Sequence, residues 1–430
     1  MSEWKKVKIG DIFAIEKGSL QSSKNTPGKY DFITAASEWK KHNSYDHDCE
    51  AIVYAVAASG SLGRAHYVNG KFIASDLCFI LTEKNKDRYP VNFLFYQIIF
   101  EMLRDEIVSK TKTGTSKESI NRGNFSNYEI PYFPIDFQLA NYQRFVDAKN
   151  AIKTLIDEFE KQKFYAKQLR QNVLQEAIEG KLTADWRKQH AVQKGNPDYD
   201  AEALFEKIQI EKQEKGKKQK PLPAITEIEK PFAIPSGWKW VRLGDVCDGF
   251  MYGTSAKSSN EGKCPVLRMG NIQNGKIDWE KLVFTNNNEE IQKYELKKFD
   301  LLFNRTNSRE MVGKTAIFES EQKTIYAGYL VRFRPILSNP YFINDVLNSK
   351  MHREWCNEVK VDALGQSNIN AEKLKNFIAP LPPLAEQKEI VARVEAKLQT
   401  ISQLETQIAS RETLTKQLMQ SILKTAFEEG

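Results

Sequence analysis

Two short patterns contain residue types that bind phosphate or metal ions, but neither has the spacing that this chemistry needs. Gly313-Lys314-Thr315 has the form of the end of a phosphate-binding P-loop, and that loop needs a glycine five residues before Gly313, where Ser308 stands. Residues 42–48 contain two histidines and two aspartates, without the spacing of metal ligands on a helix or hairpin. We therefore expect a hydrophilic turn at 42–48 and no nucleotide or metal site.

A third pattern, Asn339-Pro340-Tyr341-Phe342, approaches the catalytic tetrapeptide of amino-methyltransferases, but its second proline is missing. No glycine-rich cofactor loop follows a strand elsewhere in the sequence, and no histidine stands near a serine or cysteine in a nucleophile motif. Pro340 is better explained as the first residue of a helix. The sequence predicts a chain without catalytic residues of its own.

Polar and basic loops at matched positions are better suited to DNA. Arginine reads guanine with two hydrogen bonds, asparagine and glutamine read adenine, and serine, threonine and lysine hold phosphates. Taken singly, each loop is more simply an ordinary surface loop, but their recurrence in both halves of the chain favours a function. The candidate DNA-binding residues are Arg64, Lys110, Lys112, Thr113, Thr115, Ser116, Arg268, Asn271, Arg305, Asn307, Ser308, Arg309, Gln366 and Ser367.

The composition restricts the class of protein. The 430 residues are 41% hydrophobic and 28% charged, which is typical of a globular chain and not of a disordered one. No apolar run reaches the roughly 18 residues of a membrane helix, and Met1–Lys6 does not open a signal peptide. The five cysteines form no CxxC pair, so we expect a reducing, cytoplasmic setting. The net charge of +7 permits a polyanionic partner.

The chain contains a tandem duplication. Residues 4–12, WKKVKIGDI, recur as WKWVRLGDV at 238–246. Ile120-Asn121 recurs 249 positions later as Ile369-Asn370, and the same offset extends to the end of the chain. Separate blocks keep their order and nearly the same offset, which favours duplication over chance alignment. The repeats span roughly 4–181 and 238–430.

Each repeat begins with a mixed α/β domain. Apolar runs at 51–56 and 79–81, and at 301–303 and 330–333, predict buried strands. Prolines open two predicted helices, at about 90–108 and 340–359.

Each repeat ends in a long helix that starts after Pro134 or Pro383 and contains no internal proline. Apolar residues recur every seven positions, which predicts a coiled-coil seam between the two helices; an amphipathic helix lying on a globular core is the alternative. The predicted seam residues are Ile152, Leu155, Phe159, Leu169, Val173, Ile401, Leu404, Ile408, Leu418 and Ile422.

Between the repeats, a short helix near 200–214 precedes the lysine-rich run 211–220 and a proline-marked extended linker. The lysines are more simply a solvated tether than a DNA site. The predicted domains are a first recognition domain at 1–138, a first spacer helix at 139–182, the linker at 183–235, a second recognition domain at 236–384 and a second spacer helix at 385–430.

Three motifs resemble one family. The family's LPxGW before an LGD turn is matched by residues 234–238 and 243–245, with Ile234 in place of the leucine. Residues 180–183 (GKLT) followed by 185–187 (DWR) close the first helix as in the family, and residues 380–387 match its PLPPLxEQ. By these motifs the chain resembles the specificity subunits of type I restriction–modification systems. The resemblance covers essentially the whole chain. It departs from the family at Phe137, which stands where a glutamate is expected, so a contact at the start of the first helix is expected to be missing.

The resemblance implies two mixed α/β target-recognition domains separated by an antiparallel two-helix coiled coil. Each domain would read one half of a bipartite DNA target, in a complex with two methylation subunits and restriction subunits. This chain would bind no cofactor, and S-adenosylmethionine, ATP and magnesium would belong to the partners. Because the loops of the two repeats differ, we expect an asymmetric target. Two rival hypotheses are an autonomous DNA methyltransferase and a coiled-coil structural protein that binds other proteins.

Overall fold

The computed structural model describes residues 5–58, 60–114, 118–214, 221–363 and 365–428. They divide into two compact units, residues 1–162 with 407–430 (unit 1) and residues 163–406 (unit 2). None of the helices in these described ranges combines the length and the hydropathy that crossing a bilayer requires.

Unit 1 is built on a six-stranded sheet with the strand order β2-β7-β5-β6-β3-β4, in which only β3 and β6 pair in parallel. The buried runs predicted at 51–56 and 79–81 are its central strands, β5 and β7. The strands are β1 (Lys6–Lys8), β2 (Phe13–Lys17), β3 (Tyr30–Ile33), β4 (Lys40–His42), β5 (His47–Ala55), β6 (Ala65–Ala74), β7 (Cys78–Glu83), β8 (Lys112–Thr113), β9 (Ser119–Ile120) and β10 (Glu129–Pro131). The helices are α1 (Ile9–Ile12), α2 (Phe93–Met102), α3 (Arg104–Thr111), α4 (Arg122–Asn127) and the first part of α5 (Ile135–Ile178).

Aromatic side chains fill the core between this sheet and α2. Phe13 lies 5.6 Å from Tyr96 and 5.8 Å from Phe100, measured between ring centroids, and all three rings are buried. Such tilted and edge-on pairs add to the free energy gained by burying apolar area. This core holds β2 against α2.

Unit 2 contains a four-stranded sheet, β12-β21-β17-β19, and smaller sheets of two or three strands. The strands are β11 (Lys239–Arg242), β12 (Cys247–Tyr252), β13 (Cys264–Leu267), β14 (Ile272–Gln273), β15 (Lys276–Ile277), β16 (Val283–Thr285), β17 (Leu301–Asn304), β18 (Thr306–Asn307), β19 (Thr315–Ile317), β20 (Ile325–Tyr326), β21 (Leu330–Pro335), β22 (Val361–Ala363), β23 (Gln366–Asn368) and β24 (Ile378–Leu381). The helices are α6 (Ala184–Gln189), α7 (Ala201–Glu214), α8 (Leu243–Val246), α9 (Asn288–Tyr294), α10 (Pro340–Val346), α11 (Lys350–Val359), α12 (Ala371–Asn376) and α13 (Leu384–Glu428).

The duplication is visible in the strand pairing. Lys6–Lys8 pairs antiparallel with Glu129–Pro131 in the first repeat, and Lys239–Arg242 pairs in the same way with Ile378–Leu381 in the second. Each pair ties the start of a repeat to the strand that precedes its long helix. The predicted helix at 200–214 is present as α7, whereas the lysines at 215–220 lie outside the described residues.

Two helix predictions were wrong in one respect, because each predicted helix is two helices. The first breaks at Leu103, and the second breaks before Ser349, whose hydroxyl accepts a hydrogen bond from the backbone N–H of His352 and so starts a new helix. The first of them begins at the capping residue Asn92 and not at Pro90, whereas Pro340 opens α10 as predicted. Capping side chains were the signal that the proline-based prediction did not use.

The long helices follow the predicted starts, and their heptad rows are buried in part. In unit 2, Val173 and Ile401 lie in one core cluster. Arg170 on α5 donates hydrogen bonds to Ser402 and Glu405 on α13, at 3.1 and 3.0 Å, whereas Arg393 reaches the carbonyl of Leu182. Residue numbers rise along one helix as they fall along the other, so the two helix segments of unit 2 run antiparallel.

The interleaved leucines of the predicted seam are not buried, which corrects that part of the prediction. Ile152, Phe159 and Ile408 are buried like Val173 and Ile401, and for Ile422 only the backbone is described. Each interleaved leucine follows a buried residue of a heptad row by three positions, or about 300° around the helix, and so lies on the flank of that row. The four buried residues are Ile152, Ala166, Ile401 and Thr415. The exposed fractions are 43% for Leu155, 46% for Leu169, 44% for Leu404 and 49% for Leu418.

Asp345, in the last turn of α10, makes the stability of unit 2 depend on pH. Burial, with the nearby negative charge of Glu395, raises its pKa from 3.8 to about 8. The folded chain therefore holds this proton more tightly than the unfolded chain, and stability falls as the pH rises from about 4 to about 8. We expect the free energy of unfolding of Asp345→Asn to exceed that of the wild type by at least about 1.4 kcal/mol at pH 8. At pH 4 the two free energies should be equal.

Thermal unfolding of the two chains across this pH range checks the expectation. Glu354→Gln is the control, because Glu354 is an exposed carboxyl on the neighbouring helix α11. A pH dependence that is the same in Asp345→Asn and in the wild type would exclude Asp345 as its source.

Candidate nucleic-acid interface

A tight backbone turn presents the main polar loop of unit 2. The N–H of Asn304 donates to the carbonyl of Lys314, and the N–H of Gly313 donates back to the carbonyl of Asn304, both at 2.8 Å. Gly313 has φ +89°, and a side chain there would overlap the Sγ of Cys356. The turn therefore needs glycine, and it fixes the two ends of the loop 305–312.

Unit 1 forms the same turn from matched residues. Ala55 and Arg64 pair through a hydrogen bond of 2.8 Å, and the N–H of Gly63 donates to the carbonyl of Ala55, also at 2.8 Å. Gly63 has φ +78°, and an added Cβ would lie 2.7 Å from side-chain atoms of Arg104 and Val108. Both repeats thus hold a polar loop in the same frame although the loop sequences differ.

A hairpin closes onto each loop at a matched position. In unit 1, the N–H of Ile120 donates to the carbonyl of Val56 at 2.8 Å, and in unit 2 the N–H of Ile369 donates to the carbonyl of Arg305 at 2.9 Å. These hairpins carry the second set of predicted DNA-binding residues. The structure therefore brings the two predicted loops of each repeat together.

Two arginines that were not predicted as site residues hold the polar loops through hydrogen bonds to loop carbonyls. Arg104 donates to the carbonyls of Leu62 and Gly60 at 2.6 and 3.2 Å. Arg353 donates to the carbonyls of Val312 and Glu310 at 2.7 and 3.2 Å. The sequence contained the signal, since the two arginines are 249 positions apart like the other matched residues.

In unit 2, Arg305 lies at the centre of the candidate surface. Its guanidinium carbon is 4.6 Å from the centre of the Tyr252 ring, and the Tyr252 hydroxyl in turn accepts a hydrogen bond from the N–H of Ala371. This stacking holds the guanidinium in place, and its hydrogen bond to the carbonyl of Gly328 is long at 3.5 Å. The Arg305 guanidinium is therefore held in one orientation, and its hydrogen-bonding capacity is not fully used within the described part of the protein.

The polar side chains near Arg305 differ in their exposure and in the hydrogen bonds that they already make. Arg309 is 74% exposed and faces Asp362 at 3.7 Å, and Gln366 is exposed on the hairpin. Asn307 and Ser308 are half-buried, and the Asn307 side chain accepts a hydrogen bond from the N–H of Ser308. All four lie on the loop or the hairpin that adjoins it.

Two predicted DNA-binding residues of unit 2 have structural roles instead, which corrects the prediction for them. Asn271 is 4% exposed, and its amide bonds the backbone of Arg268, Asp278 and Glu280. Ser367 is 1% exposed, and its hydroxyl donates to Asp362. In both cases the short polar side chain satisfies buried backbone or a neighbouring carboxylate, so it has no group left for a base.

Arg268 itself is exposed. Its guanidinium donates to the carbonyl of Lys281 at 3.1 Å. Lys314, the counterpart of Arg64, donates to the Gln273 side chain at 2.8 Å, and burial lowers its pKa.

In unit 1, the exposed candidates lie on or beside the hairpin. Lys110 is exposed at the end of α3, Lys112 pairs with Glu118 at 2.7 Å, and the Thr113 hydroxyl approaches the carbonyl of Ser119 at 3.4 Å. Thr115 and Ser116 lie outside the described residues.

Arg64 does not point out of its loop. It donates to the carbonyl of Ala35 at 2.7 Å and to Ser61 at 3.4 Å.

The motifs that resemble the family converge on Glu386, at the start of α13. Its carboxylate is 1% exposed and accepts hydrogen bonds from the indole N–H of Trp238 and the hydroxyl of Thr183, each at 2.7 Å. Arg187 completes the group with an ion pair of 2.5 Å. We call these four residues the Glu386 junction. It joins three segments of unit 2 that are distant in sequence.

The equivalent position in unit 1, Phe137, makes apolar contacts. Its ring stacks on Phe133 at 5.0 Å and meets Phe95 edge-on at 6.5 Å. The charged contact expected for this position is therefore replaced by aromatic packing.

The glutamine that follows has the same role in both repeats. Gln138 accepts from the N–H of Asn92 at 2.7 Å, and Gln387 accepts from the N–H of Asn339 at 2.7 Å. Their amide groups also donate to nearby carbonyls, and both side chains are fully buried. We call each contact an amide clamp, because it ties the start of a long helix to the capping residue of α2 or α10.

Known proteins match this chain along most of its length. The family described as "Type I restriction modification DNA specificity domain" matches residues 1–161 and again 235–411, in agreement with the duplication. The EcoEI specificity subunit of Escherichia coli is 28% identical over 273 residues, which cover 60% of this chain and 45% of that protein. The EcoDI specificity subunit of Escherichia coli is 23% identical over 433 residues, covering 99% of this chain and 88% of that protein.

Matches to several of the curated relatives span only about half of their length. One solved structure, described as the structural basis of complex assembly and conformational transition of the type I R-M system, aligns over 99% of this chain and 98% of its own, with a TM-score of 0.58 and 19% identity. At that identity the likeness concerns the fold.

Proposed function

The chain belongs to the family of type I restriction modification DNA specificity domains, and from that membership we propose that it is the subunit that selects the DNA target of such a system. Each repeat would read one half of a bipartite target. The observation that carries the proposal is the matched frame: the same glycine turn, supporting arginine and closing hairpin present a polar loop in both units.

The reading surface would consist of side chains on the loop and the hairpin of each unit. In unit 2 we propose Arg305, Asn307, Arg309 and Gln366, and in unit 1 Lys110, Lys112 and Thr113. Arginine and the amide side chains can make paired hydrogen bonds to base edges, whereas the lysines and the threonine suit phosphates. The half-buried Ser308 and the exposed Arg268 would have supporting roles at most.

The long helices would form the antiparallel coiled coil that separates the recognition domains, and they would carry the partner subunits. The antiparallel contacts of Arg170 and Arg393 within unit 2 support the first part. The flank leucines support the second, since Leu169 and Leu404, with Phe164 and Tyr165, expose apolar surface that methylation subunits would cover. Methyl transfer, ATP hydrolysis and DNA cleavage would then belong to partner subunits with S-adenosylmethionine, ATP and magnesium, in the cytoplasm.

We expect the target to be asymmetric, with different base sequences in its two halves. Arg305 of the second repeat corresponds to Val56 of the first, because both residues accept the hydrogen bond from the closing hairpin. Different side chains at the same place in the frame should select different bases. Mapping of methylated adenines in a genome that carries the complete system checks this, and a palindromic motif would contradict it.

Two further experiments separate the proposal from its rivals. The purified chain, incubated alone with DNA and labelled S-adenosylmethionine, should transfer no label. Transfer without a partner would identify an autonomous methyltransferase. A complex with methylation subunits that retains random and genomic DNA equally would favour a protein-binding scaffold.

Arg305→Ala should relax one position of the half-site read by unit 2. Loss of a paired hydrogen bond to a base costs about 1–3 kcal/mol of discrimination, or roughly 5- to 150-fold in relative affinity. Lys257→Ala is the control, because Lys257 is an exposed cation of the same unit outside the loop and hairpin. Competition binding with duplexes changed one base pair at a time measures the effect, and an unchanged motif would remove Arg305 from the reading surface.

A further inference from the structure

A cavity of about 490 Å³ lies behind the polar loop of unit 1. Its lining comes from Ser37, from Arg64 and the start of β6, from α2 and the first residue of α3, and from the part of α5 in unit 1. The apolar part of the lining is formed by Met102, Ile152 and Ile156. The cavity adjoins the candidate reading surface without being part of it.

The polar lining of this cavity is strongly basic. Arg64, Arg104, Lys149 and Lys153 all line it, and the carboxylate that faces them, Glu101, forms an ion pair with Lys149. Across the described part of the chain, Arg64, Arg104 and Lys153 take part in no ion pair, and the two arginines bond only neutral oxygens. Three positive charges therefore share a concave site without an anion to neutralise them.

A histidine adds a hydrogen-bond donor to the same lining. The indole N–H of Trp39 donates to Nδ1 of His66 at 3.2 Å, so the proton of the neutral ring lies on Nε2. Burial, and then the charge of Arg64, lower the pKa of His66, which keeps the ring neutral near pH 7. Its Nε2 is buried and makes no hydrogen bond within the described ranges.

The second repeat does not reproduce this cluster. Lys314 replaces Arg64 and donates to Gln273, while Ser402 and Leu398 stand at the positions of Lys153 and Lys149. The frame of the loop is common to both repeats, so the frame alone does not require the charges. The positive charges at this cavity therefore need an explanation that applies to the first repeat alone.

We propose that this cavity binds a phosphate group, and that in the working complex the phosphate belongs to the backbone of the DNA strand read by unit 1. The inference rests on the proposed function. Arg104 links the site to recognition, because the same guanidinium that lines the cavity holds the carbonyls of Gly60 and Leu62. A phosphate bound there fixes the loop in its reading conformation.

The test is the salt dependence of DNA binding by the complex with methylation subunits. Each lost phosphate contact lowers the slope of log affinity against log salt by about 0.9. Lys153→Ala should lower it by this amount on cognate and non-cognate duplexes alike, and Lys153→Arg should restore it. Lys153 is exposed on a helix, so its replacement leaves the fold intact. Lys86→Ala, which removes an exposed charge of unit 1 outside the cavity, should leave the slope unchanged.

A second arm identifies the source of the phosphate. Calorimetric titration of the full chain with inorganic phosphate, in the wild type and in Lys153→Ala, shows whether the cavity takes the free anion. Binding that Lys153→Ala abolishes, with an unchanged DNA slope, assigns the cavity to free phosphate. An unchanged slope without phosphate binding overturns the proposal, as does a loss of methylation-subunit assembly in Lys153→Ala at an unchanged slope.

The two proposals can fail separately. A wild-type complex without any sequence preference would overturn the proposed function. An intact sequence preference with an unchanged slope and no phosphate binding in Lys153→Ala would overturn only the phosphate site.

Discussion

Glu386→Ala should lower the free energy of unfolding of unit 2 by about 3–5 kcal/mol, the usual cost of breaking a buried ion pair by removing one partner. The carboxylate is almost fully buried, and Trp238, Thr183 and Arg187 all donate to it. Its removal leaves the guanidinium of Arg187 and two neutral donors beside a void. A group buried without its partner costs more than the bond itself contributed.

Two variants calibrate this result. Glu386→Gln keeps the shape and one acceptor oxygen but turns an NH₂ group towards other donors, so its loss should be smaller than that of alanine. Glu389→Ala lies one turn further along the same helix and removes a partly exposed pair with Arg393, which should cost about 0.2–1 kcal/mol. Urea denaturation measures all three. A loss for Glu386→Ala no larger than for Glu389→Ala would show that the junction does not hold unit 2 together.

Lengthening both long helices by one heptad should widen the gap between the two halves of the DNA target by roughly three base pairs. This expectation rests on the proposal that the helices separate the recognition domains. Seven residues add about 10 Å at roughly 1.5 Å per residue, and base pairs stack at about 3.4 Å. The insertions belong after Phe159 and after Ile408, both of which are buried members of the heptad rows.

The control for the heptad variant is an insertion of four residues in each helix. A heptad returns the buried row to the same face, whereas four residues rotate it away and should abolish assembly or activity. Lengthening a single helix should also fail, because it shifts the two rows against each other. Mapping of methylated sites gives the readout. An active heptad variant that keeps the original gap would show that the helices do not set the spacing.

The duplication and the long helices could be predicted because they leave periodic signals in the sequence. A constant offset places Ile120 and Ile369 at equivalent positions, and a seven-residue period places Val173 and Ile401 on buried faces. Both signals depend only on spacing, and spacing survives divergence of the side chains.

The availability of individual polar residues could not be predicted in the same way. Asn271 and Arg305 both look like base readers in the sequence. The Asn271 amide, however, donates its hydrogen bonds to backbone carbonyls, and the Arg305 guanidinium stacks on the Tyr252 ring. Such partners are set by long-range contacts, here between residues 53 positions apart for Arg305 and Tyr252. Periodicity does not encode these contacts, so the sequence could not show which polar side chains are free to contact DNA.

The amide clamps bear on how new specificities can be made from old ones. Gln138 and Gln387 attach each recognition domain to its long helix through the same kind of contact, a side-chain amide on the N–H of a capping asparagine. Neither clamp involves the loop or the hairpin that differs between the repeats. A domain moved as a cassette, from its first strand to the glutamine, therefore brings its own attachment with it. Under the proposed function, a gene in which one cassette occupied both places would encode a reader of two identical half-sites.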